Sequence, residues 1–275
     1  MGIVNVTPDS FSDGGRFLRP DDAIAHGLRL AGEGAEILDV GGESTRPGAE
    51  PVSAAEELRR VLPVIAGLAS ATEPMPARPQ ISVDTSKLAV AEAAIAAGAR
   101  LVNDVSAFRA DAGMAALVAG SGVECCLMHM LGEPRTMQRA GGPKYDDVVD
   151  DVKSFLEQRL RFAVSEGVPE ERILLDPGIG FGKTEQHNLE LLRRLGELCE
   201  LGRPILIGTS RKQFLGRIQA RAAGRSEPAG VDDRLAGTLA SNVLAYERGA
   251  SVFRVHEVAP VRDALAVAAA TLGLR

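Results

Sequence analysis

Several common structural supports are missing from this chain of 275 residues. It holds three cysteines: Cys125 and Cys126 side by side in an apolar run, and Cys199 at a helix end. That spacing fits neither a disulfide framework nor a zinc site, so buried reduced thiols are expected. No apolar run reaches the ~20 residues needed to span a membrane. No signal-peptide pattern precedes the first motif, so the Asn5-Val6-Thr7 sequon is expected to go unused and the protein to be cytoplasmic. Basic residues are not in excess. With 31 Lys+Arg against 37 Asp+Glu, the net charge of −6 argues against a general nucleic-acid or anionic-membrane binder. A local cationic pocket for an anionic small molecule remains open. There is no Ser/His/Asp spacing, no nucleophile elbow and no His/Cys cluster for a tight metal site. No linker divides the chain, since the proline-rich stretch 73–79 is too short, and no tandem repeat stands out beyond βα alternation.

What is present is an ordinary soluble composition, 45% hydrophobic and 25% charged. At this length folding buries about 75% of the unfolded surface, enough for a core without staples. Eight short apolar or β-branched runs read as strands: 3–6, 36–40, 80–84, 101–104, 123–129, 172–176, 204–208 and 251–255. Helical stripes lie between them. Ile24, Leu28, Ala31 and Ala35 share one face. Leu58, Val61, Ile65 and Leu68 share another behind the capping box Ser53-x-x-Glu56, and Val149, Val152, Leu156, Leu160 and Ala163 form a third. Pro260 suits the start of a last helix. The segment 222–230 reads as a polar loop between two helical pieces of the seventh unit. Eight βα units favour an α/β fold of the closed (β/α)8 TIM-barrel type, one domain over 1–275; a doubly wound open sheet is the alternative.

In such barrels the chemistry sits on loops at the C-terminal ends of the strands, and the polar residues gather there. The run Asp176-Pro177-Gly178-Ile179-Gly180-Phe181-Gly182-Lys183-Thr184 puts a carboxylate at a strand end beside a glycine loop. It approaches a phosphate-binding P-loop, but Pro177 stands at the first glycine position and cannot donate an N–H. Asp84, Asn103 and Asp176 end three strands. One such residue reads as a helix cap; three at one rim suit reading the donor edge of a heterocycle. Asn5 opens an oxygen-rich loop ending in Gly14-Gly15, which reads equally as solvated turns or a lid. Arg46, in a glycine-rich loop with Thr45 and Pro47, suits an anion. Ser210 could cap a helix, yet Arg211 and Lys212 at a helix start oppose the macrodipole and call for an anionic partner. Arg254 and His256 share one face of the last strand, where a cation is costly unless paired. His26 and His187 are expected on the surface, and His129 admits either reading. Oxygen-rich loops suit Mg2+ held partly through a substrate phosphate.

Seven segments in order carry a resemblance: 1–15, 39–48, 82–85, 102–106, 176–183, 210–212 and 254–256. Over essentially its whole length the chain resembles the bacterial dihydropteroate synthase family. The resemblance implies a (β/α)8 barrel that condenses 6-hydroxymethyl-7,8-dihydropterin pyrophosphate with p-aminobenzoate, giving 7,8-dihydropteroate and pyrophosphate in folate biosynthesis. It implies a pterin pocket of Asp84, Asn103, Asp176 and Lys212, with Met128, Phe181 and Gly208 as walls. Asn5, Arg254 and His256 would hold the pyrophosphate, Asn5 through Mg2+. Phe11, Thr45, Arg46, Pro47 and Ser210 would shape the p-aminobenzoate site. Asp84, Lys212, Arg254 and His256 would carry catalysis, through a pterin cation formed before the amine attacks. The resemblance also implies a homodimer and sulfonamide inhibitors. Two departures stand out. Family members carry several residues ahead of the Met1-Gly2 position, so a shortened first strand is expected. Glu257 replaces the more usual Asp. A pterin-binding methyltransferase would need no pyrophosphate clamp, and a silent paralogue should have lost it.

If Arg46 serves p-aminobenzoate, Arg46→Ala should raise the KM for that substrate far more than it changes pterin affinity. Steady-state kinetics with each substrate varied would count against the role if both shifted equally.

Overall fold

Strand order along the sheet is the order of the chain, and that order closes on itself. The computed structural model describes residues 1–7, 19–44, 49–132 and 142–273. Its strands are β1 (Gly2–Asn5), β2 (Ile37–Gly41), β3 (Gln80–Asp84), β4 (Leu101–Asp104), β5 (Glu124–Met128), β6 (Ile173–Asp176), β7 (Leu206–Ile207) and β8 (Val252–Phe253). β1 to β6 pair in sequence, and β7 pairs β8, all in parallel. Two bridges join the sheets. Leu175 N donates to Pro204 O at 3.0 Å, and Ile3 N donates to Val255 O at 3.0 Å. Because β8 returns to β1, this is the expected (β/α)8 barrel, and the open sheet is excluded.

The helices are α1 (Pro20–Gly32), α2 (Ala54–Thr72), α3 (Leu88–Ala96), α4 (Met114–Ser121), α5 (Val148–Ser165), α6 (Glu185–Arg193), α7 (Leu195–Cys199), α8 (Gln213–Ala222), α9 (Leu235–Glu247) and α10 (Val258–Leu272). None among the described residues is long and apolar enough to cross a membrane. The α5 stripe is buried as the periodicity predicts, behind Asp147, whose carboxylate accepts from Val149 N and Asp150 N. The Ser53 cap of α2 forms, but the reciprocal half of the capping box does not. Glu56 turns instead to Arg59 and Arg60. Ala35 is not on the α1 stripe: the helix ends at Gly32, and Ala35 N reaches back to Leu30 O at 2.9 Å.

That ending is a Schellman motif, and it recurs. Gly34, Gly98, Gly167 and Gly249 each take a positive φ after α1, α3, α5 and α9, followed by buried Ala35, Ala99, Val168 and Ala250. Each apolar residue donates its N–H five residues back, to Leu30, Ala94, Ala163 and Ala245. A glycine is needed because the left-handed turn disfavours a Cβ. The pair of glycine and small apolar residue thus returns the chain from helix to strand at the N-terminal end of the barrel.

Side chains alternate across each strand. Inward, Leu101, Cys126, Leu174 and Leu206 pack together with Ile37 and Val252, one residue from each of six strands. They plug the lower barrel. Outward, Val40, Val83, Val102, Cys125, Leu127, Leu175 and Ile207 join the main core under the helices. The adjacent cysteines therefore face opposite layers. Both are buried and free, and burial raises both thiol pKa values.

Leu101 is fully buried in the plug. Leu101→Ala should cost about 2–5 kcal/mol of unfolding free energy through lost transfer and a residual cavity. Urea denaturation checks this, and a loss well under ~1 kcal/mol would mean that the plug refills.

Candidate active site

Two residues beyond each member of the plug, toward the C-terminal strand ends, lies the next inward layer. The step leads from Leu101 to Asn103, Cys126 to Met128, Leu174 to Asp176, Leu206 to Gly208, Val252 to Arg254 and Ile37 to Asp39. Five of these six are residues expected at the site. The sixth, Asp39, is not among the candidate residues drawn from the sequence. The same alternation would have singled it out, because an acid inside an apolar strand must be paired.

Asp39 is fully buried. Its Oδ1 accepts from Ser82 Oγ at 2.6 Å. Its Oδ2 accepts from Asn103 Nδ2 at 3.1 Å and Arg254 Nε at 2.6 Å. Arg254 Nη2 then reaches Asp84 Oδ2 at 2.8 Å. One guanidinium therefore spans two carboxylates on β2 and β3. Burial opposes its charge, but Asp39 and Asp84 outweigh burial and raise its pKa. Burial raises the Asp84 pKa, with Arg254 opposing and Asp39 adding to the rise. Above this layer Gly41 leaves room: a Cβ there would lie 3.6 Å from Asp84 Oδ2 and 3.8 Å from Asn5 Oδ1.

Across the barrel, Asp176 Oδ1 accepts from Gly178 N at 2.7 Å. Gly178 has φ 67° and a Cβ there would meet His129 O at 1.9 Å, so only glycine allows this turn. Met128 and Met130 pack with Val105 and Phe181 into an apolar wall. Lys212 Nζ sits 4.2 Å above the Phe181 ring, a cation–π contact on the side of Asp176. Ser210 Oγ lies 2.9 Å from His256 Nδ1 and accepts from His256 N at 3.2 Å. The structure thus ties Ser210, expected with p-aminobenzoate, to the histidine expected on the pyrophosphate. Glu257 pairs with Arg211, whose φ of 59° is left-handed.

The surrounding loops are pinned by buried charge. Lys183, the lysine of the P-loop-like run, turns inward: its Nζ is 2.8 Å from His129 Nδ1 and 3.1 Å from Phe181 O. It joins the loops after β5 and β6 instead of facing a phosphate. Burial lowers its pKa to about 7, and burial with Lys183 and Arg109 holds His129 down at about 2, a neutral acceptor. Asp104 shapes the loop after β4, accepting from Ser106 N and Phe108 N while Ala107 and Phe108 both take positive φ. Lys87 binds Glu43 and the fully buried Glu57, fixing the start of the loop after β2. His26 and His187 are more than surface residues. His26 Nε2 lies 3.2 Å from Ile3 O, and His187 completes a capping box with Thr184. Phe11, Thr45, Arg46 and Pro47 lie outside the described residues. A groove of about 460 Å³ beside Leu160, Val164 and Leu201 opens at the opposite end of the barrel, away from this chemistry.

A rim of paired acids, an amide, two cations and an apolar wall suits a flat polar heterocycle carrying an anionic tail. Residues 1–256 match the pterin binding enzyme family. The chain is 47% identical over 274 residues to the dihydropteroate synthase of Mycobacterium leprae (strain TN), covering 99% of this chain and 93% of the relative. The chain belongs to the dihydropteroate synthase family. Solved dihydropteroate synthases share its fold. The Xanthomonas albilineans enzyme with 4-aminobenzoic acid superposes with a TM-score of 0.87 at 48% identity, covering 100% of this chain and 93% of that one. The same enzyme with 7,8-dihydropteroate gives 0.84 at 45% identity, covering 100% and 94%. The Yersinia pestis enzyme in a sulfonamide drug complex gives 0.90 at 41% identity, covering 99% and 94%.

Burial lifts the Asp176 carboxyl from 3.8 to about 6, with the Gly178 N–H, Lys212, Lys183 and Arg254 opposing the rise. Its folded pKa exceeds the unfolded one, so its contribution to stability is full below the unfolded value and is lost as pH rises through about 6. Asp176→Asn, which keeps the acceptor for Gly178, should therefore stabilise the fold at about pH 8 by about 3 kcal/mol. The gain should fade as pH drops toward about 4. Thermal unfolding at both pH values is the check; no gain at the higher pH would show that burial does not penalise this charge.

Proposed function

We infer that the protein joins 6-hydroxymethyl-7,8-dihydropterin pyrophosphate to p-aminobenzoate, releasing 7,8-dihydropteroate and pyrophosphate in folate biosynthesis. The observation that carries this reading is the inner layer itself: Asp84, Asn103 and Asp176 around one barrel mouth, walled by Met128 and Phe181, with Arg254 between the acids. The ligands of the Xanthomonas albilineans structures support the substrates, and that of the Yersinia pestis structure supports sulfonamides as inhibitors.

In this reading Asp176 accepts from the pterin ring N–H and amino group, and Lys212, beside it, donates to the ring. The bond between the exocyclic methylene carbon and the diphosphate oxygen breaks, and both electrons leave with pyrophosphate. The resulting cation is favoured by the nearby Asp84 carboxylate, while Arg254 and His256 hold the departing anion. The p-aminobenzoate nitrogen then forms the new C–N bond and gives its proton to solvent. The amine is already nucleophilic, so no strong base or catalytic triad is needed.

Among the described residues no group of three His, Cys, Asp or Glu could hold a metal by itself. Asn5 does fit a site completed by substrate. Half-buried at the end of β1 near Asp84, its amide has no hydrogen-bond partner among the described residues. It would hold Mg2+ through its amide oxygen, with diphosphate oxygens and water as the other ligands. When bound, the ion supplies charge neutralisation to the leaving group. We extend the reading to a cytoplasmic homodimer on the strength of family membership.

The test is pyrophosphate release by the purified protein, with and without p-aminobenzoate and Mg2+. Release that needs both, with dihydropteroate formed, is the expected outcome. Pterin binding with no release would turn the reading toward a methyltransferase or a silent binder.

A further inference from the structure

We propose that Asp39 is a positioning residue for this reaction, aligning the Arg254 guanidinium and the Asn103 amide from beneath without touching substrate. The proposal rests on the synthase reading above and assigns a role to a residue which that reading leaves out.

Three observations carry it. First, Asp39 has no exposed surface and lies in the inward layer directly above the apolar plug. Its register partner on β3 is Ser82, whose hydroxyl occupies Oδ1 at 2.6 Å. Its carboxylate therefore looks across the barrel and is out of reach of the rim. Second, Oδ2 receives two donors, Asn103 Nδ2 and Arg254 Nε, from β4 and from the residue after β8. A carboxylate only accepts, so it dictates which end of the Asn103 amide faces it. The NH2 must turn down, and the Asn103 carbonyl oxygen is presented to the mouth as an acceptor. Third, the guanidinium fork is planar. With Nε fixed on Asp39 and Nη2 on Asp84, its plane is set, and Nη1 has no partner among the described residues. That edge is then aimed without reorganisation at the moment the leaving group develops charge.

A neutral amide cannot substitute for this carboxylate. Its oxygen could still face the Arg254 Nε–H with its NH2 turned to the Ser82 hydroxyl, which can accept, but the negative charge that holds the guanidinium would be gone. Arg254 would keep Asp84 alone, swing toward it, and release Asn103.

The test compares wild type, Asp39→Asn and Ser82→Ala in kcat/KM for the pterin pyrophosphate across pH, with the KM for p-aminobenzoate as internal reference. Asp39→Asn is expected to lower kcat/KM for the pterin by about ten- to a hundredfold, the scale seen when an outer partner of a site group is removed. It should leave the p-aminobenzoate KM within about twofold on that same scale. The pH profile separates alignment from damage. Asp84 must be ionised to favour the cation, and Asp39 is among the charges that raise its pKa. Removing that charge should move the acid limb of the profile to lower pH. A general loosening would lower the whole curve and leave the limb in place, and that result would overturn the proposal. Ser82→Ala keeps both charges and removes only the brace on Oδ1, so it remains informative if Asp39→Asn fails to fold. It should lower kcat/KM for the pterin without moving the limb or the p-aminobenzoate KM; an unchanged kcat/KM counts against alignment. Wild-type turnover is measured first. If wild type binds a 6-hydroxymethylpterin but forms no dihydropteroate, the synthase reading has failed by itself. Asp39 is then judged by whether Asp39→Asn weakens that pterin binding.

Discussion

A guanidinium inside a β-barrel has to be paid for in carboxylates, and Arg254 is matched by two. Burying the cation alone would cost several kcal/mol, and so would burying Asp39 alone. Placed 2.6 Å apart, with Asp84 completing the fork at 2.8 Å, each removes the penalty of the others. The consequences spread outward. Asp39 needs further donors, which fixes Ser82 and the orientation of Asn103. Asp84, held above the usual carboxylate range, becomes a proton-sensitive group at the mouth. Polar residues from β2, β3, β4 and the end of β8 are therefore mutually dependent, and a change at any one is felt by the rest.

This network can exist only because the layer below it is dry. Leu101, Cys126, Leu174 and Leu206 close the lower barrel, so water reaches the acids from one side. The opposite wall is held by different means. Lys183 and His129 stitch the loops after β5 and β6 together, and the close approach of Gly178 to His129 O sets the angle at which Asp176 enters the mouth. A lysine that sequence spacing associates with phosphate is used here as an internal brace.

Much of this was legible beforehand, for identifiable reasons. The strand positions were readable because each is an apolar run of the right length, and the α2 and α5 stripes because their period is helical. β7 and β8 are shorter than the runs 204–208 and 251–255 that announced them, because only isolated bridges link them to their outer neighbours. Strand-end acids and amides are legible because each comes at the close of an apolar run. Asp39 is harder to read: it sits two residues back from the end of β2, and its importance depends on Arg254, 215 positions away in the chain. The Ser210–His256 contact and the inward turn of Lys183 are likewise long-range and leave no local trace. Ala35 falls off the α1 stripe because the helix ends at Gly32 and the chain turns at Gly34.

Those glycine stops divide the vulnerability of the barrel into two kinds. At the N-terminal end, four helices return through a left-handed glycine followed by a small buried residue, a demand of backbone conformation alone. At the C-terminal end the demand is chiefly chemical, with Gly178 the backbone exception. In a population of random variants, lesions at the lower end should deplete the amount of folded protein while sparing the specific activity of what survives. Lesions at upper-end side chains that face only the mouth should leave abundance nearly intact and empty it of catalysis, whereas loss of Asp39 or Arg254 should lower both. A map of abundance against activity would therefore separate the two rims of one ring, although both would look equally intolerant in a growth assay.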